Sequence, residues 1–79
     1  MGMKPRQNGS IRARLTRRLV EELRRQGNNI TDMANLCGVS RRTIYDWLEK
    51  EQGAQDSHLE ILIELTGAEL TEMEQRLLK

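Results

Sequence analysis

No phenylalanine occurs in this chain of 79 residues, and tryptophan and tyrosine occur once each. A core without large rings has to be filled by Leu, Ile, Met and Ala, a palette that suits helices better than strands. Cysteine is as scarce. Cys37 stands alone, as does His58, so neither a disulfide framework nor a four-ligand zinc site can be assembled within one chain. That usage fits a reducing cytoplasm. No apolar run approaches the roughly 20 residues of a membrane span, and the first residues lack the hydrophobic segment of a signal peptide. Met1-Gly2 opens like a myristoylation signal, but Arg6 stands where Ser or Thr is required. Paired catalytic carboxylates, a glycine-rich phosphate loop and a Ser/His/Asp order are missing too, and a lone histidine without a nucleophile is no catalytic base. The expectation is a protein that is not an enzyme and takes no metal, cofactor or small-molecule ligand.

What is present is small and unevenly charged. A chain of 79 residues makes one domain. A core drawn from 37% hydrophobic residues supplies about 3–5 kcal/mol of net stability, so self-association is expected. The net charge of +1 hides a division: residues 1–50 hold eleven Lys or Arg against five Asp or Glu, a balance of +6, and residues 51–79 hold two against seven, a balance of −5. Before Glu21 there is no acid at all, only Lys4, Arg6, Arg12, Arg14, Arg17 and Arg18. Such asymmetry suggests one face turned to a polyanion and another turned away.

Helical spacing and punctuation divide the chain. Residues 1–14 read as a basic flexible arm around Pro5, Asn8 and Gly9, and residues 15–79 as the folded domain. The first helix carries Leu15, Leu19, Val20 and Leu23 and stops at Gly27. Its start has two readings: Ser10 as N-cap, or Thr16 as N-cap with a staple from Leu15 to Val20, which leaves Arg12 and Arg14 in the arm. A second helix spans about Thr31 to Cys37, and a third runs from Arg41 to about Lys50 after N-cap Ser40. A loop from Gly53 to Ser57 leads to a fourth helix on Leu59, Leu62, Ile63 and Leu65. A fifth carries Leu70, Met73, Leu77 and Leu78.

The stretch NNITDMANLCGVSRRTIYDWLEK, residues 28–50, joins two short helices through Gly38. Two short helices crossing steeply need a small residue at their closest approach, Ala34, and one that tolerates positive φ in the turn, Gly38. Ile30, Met33, Cys37 and Val39 on one side, with Ile44, Trp47 and Leu48 on the other, seal the pair onto the first helix. Burying that face turns Arg42, Asp46 and Glu49 outward, flanked by Thr43, Tyr45 and Lys50, with Arg41 in the first turn.

These residues resemble the DNA-binding helix-turn-helix, and the frame over residues 15–75 is similar to the all-α lambda-repressor and Cro type. Ile30, four residues before Ala34, is also similar to the homeodomain-like module of recombinases and transposases. The resemblance implies four to five short helices and double-stranded DNA as partner, with the third helix in the major groove. Arg41 and Arg42 then reach guanine edges or phosphates. Ser40, Thr43, Tyr45 and Lys50 are further contacts. Asp46 orients Arg42 from the i+4 position or accepts from a cytosine amine. Asn29 and Thr31 offer the start of the second helix to a phosphate, and Arg12 and Arg14 follow the backbone or enter the minor groove. The apolar stripe Leu70, Met73, Leu77 and Leu78, within about residues 68–79, is expected to pair two copies. The function implied is a cytoplasmic, nucleoid-associated transcriptional regulator, a repressor acting as a homodimer on a palindromic operator. Two alternatives stand: a DNA-binding component of a recombinase or transposase system, and a protein-interaction module or inhibitor.

Overall fold

A computed structural model describes residues 10–50 and 52–78 of the chain. Five helices and no strand occur among the described residues: α1 (Ile11–Arg25), α2 (Ile30–Cys37), α3 (Arg41–Glu49), α4 (Asp56–Thr66) and α5 (Glu72–Leu77). The all-α class expected from an aromatic-poor sequence is the one observed. Helix α1 is the hub and packs against each of the other four. It contributes Leu15, Leu19, Val20 and Leu23 to a core completed by Met33, Ala34 and Cys37 of α2, Ile44 and Trp47 of α3, Ala54, and Leu59 and Leu62 of α4.

Of the two readings for the start of α1, Ser10 is the N-cap. Its backbone is extended and its hydroxyl accepts the Ala13 N–H at 3.2 Å. Residues 11–14 are therefore helical where the arm reading ran through residue 14; residues 1–9, with Lys4 and Arg6, lie outside the described residues. Thr16 does something else. Wholly buried in mid-helix, its hydroxyl donates to the Arg12 carbonyl at 2.8 Å and accepts the Ala54 N–H at 3.0 Å. That bond ties the loop before α4 onto the first turns of α1. Gly53 makes the approach possible: its φ is +75°, and a Cβ added there would sit 3.0 Å from the backbone of Ala13.

The two C-terminal helices depart from expectation in instructive ways. Helix α4 starts at Asp56, inside the segment read as loop. Leu65, six residues beyond Leu59 and so about 240° around the helix, leaves the buried stripe and is 36% exposed. Helix α5 opens with a capping box, in which the Thr71 hydroxyl accepts the Glu74 N–H and the Glu74 carboxylate accepts the Thr71 N–H. Arg18 of α1 then donates to the Glu69 carbonyl at 3.1 Å and pairs with Glu74 at 3.2 Å. With that anchor, Leu70, Leu77 and Leu78 pack against the core of their own chain, while Met73 remains 58% exposed. The stripe read as a dimer surface is thus divided: three residues face inward and one outward. No helix among the described residues is long and apolar enough to cross a membrane.

Candidate nucleic-acid interface

The helix pair α2–α3 is built by local rules legible in the sequence. Asn29 caps α2 through its side-chain oxygen, which accepts the Asp32 N–H at 2.8 Å, while the Asp32 carboxylate accepts the Asn29 N–H at 3.2 Å. The helix therefore starts at Ile30, one residue before the expected Thr31. Gly38 ends it in the left-handed conformation, φ +72°, and the Val39 N–H donates back to the Ala34 carbonyl at 3.0 Å. Nothing lies within 4 Å of a Cβ added at Gly38, so conformation and not space demands the glycine. Buried Ala34 takes its place in the core beside Met33 and Cys37. Burial also pushes the Cys37 thiol above its ordinary range, because the thiolate loses its water.

Ser40 then starts α3. Its hydroxyl accepts the Thr43 N–H at 3.2 Å and lies 3.1 Å from the Thr43 hydroxyl. Both side chains therefore shape the entry of the helix, and Thr43 is half-buried. Ile44 and Trp47 go inward, leaving Arg41, Arg42, Tyr45, Glu49 and Lys50 exposed on the other side. Together with Asp46 they line a shallow outward depression. Arg41 and Arg42 hold no ion pair among the described residues, so their guanidinium groups are available to a ligand. Tyr45, 48% exposed, stands between them and the end of the helix.

Three of the expected contacts take different partners. Asp46 pairs with Lys50 at 3.5 Å, one turn on, instead of orienting Arg42; the i+4 spacing permits either neighbour, and Lys50 lies on the C-terminal side, the favoured order for an acid and a base. Arg12 turns toward the loop before α4, pairing with Asp56 at 2.7 Å and donating to the Ala54 carbonyl at 3.0 Å. Asn29 spends its side-chain oxygen on the cap, and Asp32 places a carboxylate where a phosphate would approach. Thr31 and Arg14 are exposed.

Two features went unread in the sequence. Trp47 packs its indole against the His58 ring, with centroids 5.5 Å apart and planes tilted by 50°, so the histidine braces the back of α3 from the first turn of α4. Arg17 of α1 donates to the Lys50 carbonyl at 3.5 Å, at the C-terminal end of α3. Both join residues far apart in the chain, and no local spacing announces them. Among the described residues no group of three or more His, Cys, Asp or Glu could hold a metal ion.

A family model described as "Helix-turn-helix domain" matches residues 17–56, which runs from the middle of α1 through the turn and α3 to the start of α4. Comparison with curated proteins and with solved structures gives no match. A model covering just over half the chain, laid over a left-handed glycine turn between α2 and an Arg-bearing α3, shows that the chain belongs to the helix-turn-helix domain family of DNA-binding proteins.

Proposed function

We propose that the protein is a sequence-specific binder of double-stranded DNA that acts by occupancy and not by catalysis, as a small cytoplasmic, nucleoid-associated transcriptional regulator of the lambda-repressor and Cro type. The observation that carries this reading is the pair Arg41 and Arg42 at the N-terminal end of α3, exposed and without ion pairs among the described residues, on a helix whose opposite face is locked by Ile44 and Trp47. A guanidinium placed there donates two parallel bonds to guanine O6 and N7 in the major groove. The balance of +6 over residues 1–50 against −5 over residues 51–79 makes the molecule's field uneven, which helps orient the encounter. A repressor on a palindromic operator requires two copies, and outside α3 the large apolar side chains exposed among the described residues are Leu36 on α2, Leu65 on α4 and Met73 on α5. Selection of bound fragments from a random duplex pool tests the reading. Inverted half-sites about one DNA turn apart would support the homodimer; fragments of no common sequence would reject sequence-specific regulation.

The inward packing of Leu70, Leu77 and Leu78 favours a second reading, in which the chain is the DNA-binding component of a recombinase or transposase system and gains its partner from a larger assembly. A single unpaired half-site from the same selection, with a monomer in sedimentation, would decide for it.

A further inference from the structure

The six arginines of α1 divide according to what they touch. Arg12 is committed to Asp56 and Ala54, Arg18 to α5, and Arg25 to Glu22. Arg17 points the other way and meets α3 at the Lys50 carbonyl, 3.5 Å from its guanidinium. Arg14, exposed, lies one turn before both, three residues from Arg17 and four from Arg18, so its direction falls between theirs. The C-terminal end of α3 thus meets a cation of another helix: Lys50 caps α3, and Arg17 of α1 reaches the Lys50 carbonyl.

We propose that Arg17 and Lys50, continued along α1 by the exposed Arg14, form a phosphate-binding edge that extends the DNA surface from α3 onto α1 and grips the backbone flanking the bases read by Arg41 and Arg42. The inference rests on the reading of α3 as the helix facing DNA. Lys50 shares the outward depression of α3 with Arg41 and Arg42, and the nine residues of α3 place it about 13 Å away along the helix axis, beyond the reach of the same base edges. Arg17 is held beside it by the carbonyl contact, so a second cation comes to that position from a different helix. A guanidinium carries five N–H donors, which lets one side chain keep protein partners and take a phosphate as well. The helix–helix contact also fixes the spacing between these charges and the recognition helix, where a flexible arm would leave it loose. The edge carries no base information, only register and affinity.

The test is the salt dependence of binding by the full chain, on the selected site and on random duplex, for Arg14→Gln, Arg17→Gln, Arg17→Lys and Arg42→Ala. Each of the two glutamine variants is expected to lower the slope of log affinity against log salt by about 0.9 on both DNAs. Arg17→Lys keeps its slope, which separates charge from a structural role. Circular dichroism checks the fold, and Arg14→Gln, exposed on α1, gives the same readout should Arg17→Gln lose helicity. Unchanged slopes in the glutamine variants, with Arg42→Ala still losing specific affinity, would overturn the edge alone. If Arg42→Ala changes nothing on either DNA, the α3 reading itself fails.

Discussion

Thr16 is the residue whose removal tests the fold's construction most sharply. Thr16→Val keeps the shape of the side chain but removes the acceptor for the Ala54 N–H, which is buried and bonded to it at 3.0 Å. A buried donor left without a partner costs about 1–3 kcal/mol, more than the modest net worth of the bond itself. Against the net stability of about 3–5 kcal/mol that a core of this size supplies, a loss near 2 kcal/mol is large. Thermal unfolding followed by circular dichroism should show Tm lowered by about 8–16 °C, at about 4–8 °C per kcal/mol for a domain of this size. Thr16→Ser retains the hydroxyl and gives up only a methyl group, at about 1 kcal/mol, so the serine variant should be the more stable of the two. Amide exchange adds a local readout, because Ala54 should lose protection in the valine variant and keep it in the serine variant. A Thr16→Val protein within about 0.5 kcal/mol of the parent, the range of an ordinary surface change, would refute the joint between α1 and the loop before α4.

Gly53→Ala should cost more than the usual 1 kcal/mol of a glycine replacement at positive φ, because the new Cβ meets the backbone of Ala13 at 3.0 Å and backbone has little room to yield; urea denaturation measures it. Arg42→Ala is expected to cost about 1–3 kcal/mol on the specific site and much less on random DNA, read by fluorescence anisotropy. Leu77→Glu places a carboxylate against the core and should destabilise by several kcal/mol, whereas Met73→Glu should leave Tm nearly unchanged and, if two copies pair there, give a monomer in sedimentation. Cys37 should resist alkylation between pH 7 and 9 until denaturant is added. Its raised thiol favours the neutral form in the fold, so the associated stability is complete below the ordinary thiol range and is lost as pH rises through the folded value.

How much could be read in advance varied with the distance over which the chain makes its decisions. The turn between α2 and α3 was legible because Ala34, Gly38 and Ser40 act on neighbours a few residues away, through φ, backbone approach and a cap. The outward face of α3 followed from helical phase once Ile44 and Trp47 were assigned to the core. Thr16 was left with two readings because a threonine between Leu15 and Val20 has the staple signature of an N-cap; only Ala54, which lies 38 residues away, makes its hydroxyl a cross-brace. The same limit applies to Arg12, whose partner Asp56 arrives from another helix, and to the tilted contact of His58 with Trp47. The stripe of α5 was correctly located, yet periodicity says only that a face is apolar. Its cover comes from within the chain, where Leu70, Leu77 and Leu78 pack on the core and Arg18 bonds Glu69 and Glu74 at the exposed rim, contacts between residues far apart in sequence.

The most direct test of the claim that α3 presents the DNA surface is to titrate isotope-labelled protein with a duplex of the selected sequence and follow every amide and arginine side-chain resonance. The expected result is that the changes concentrate on residues 40–50, with Arg41, Arg42 and Tyr45 among the largest, while the acidic surface of α4 and α5 stays still. Perturbations centred on α4 and α5, or none at saturating duplex, would contradict it.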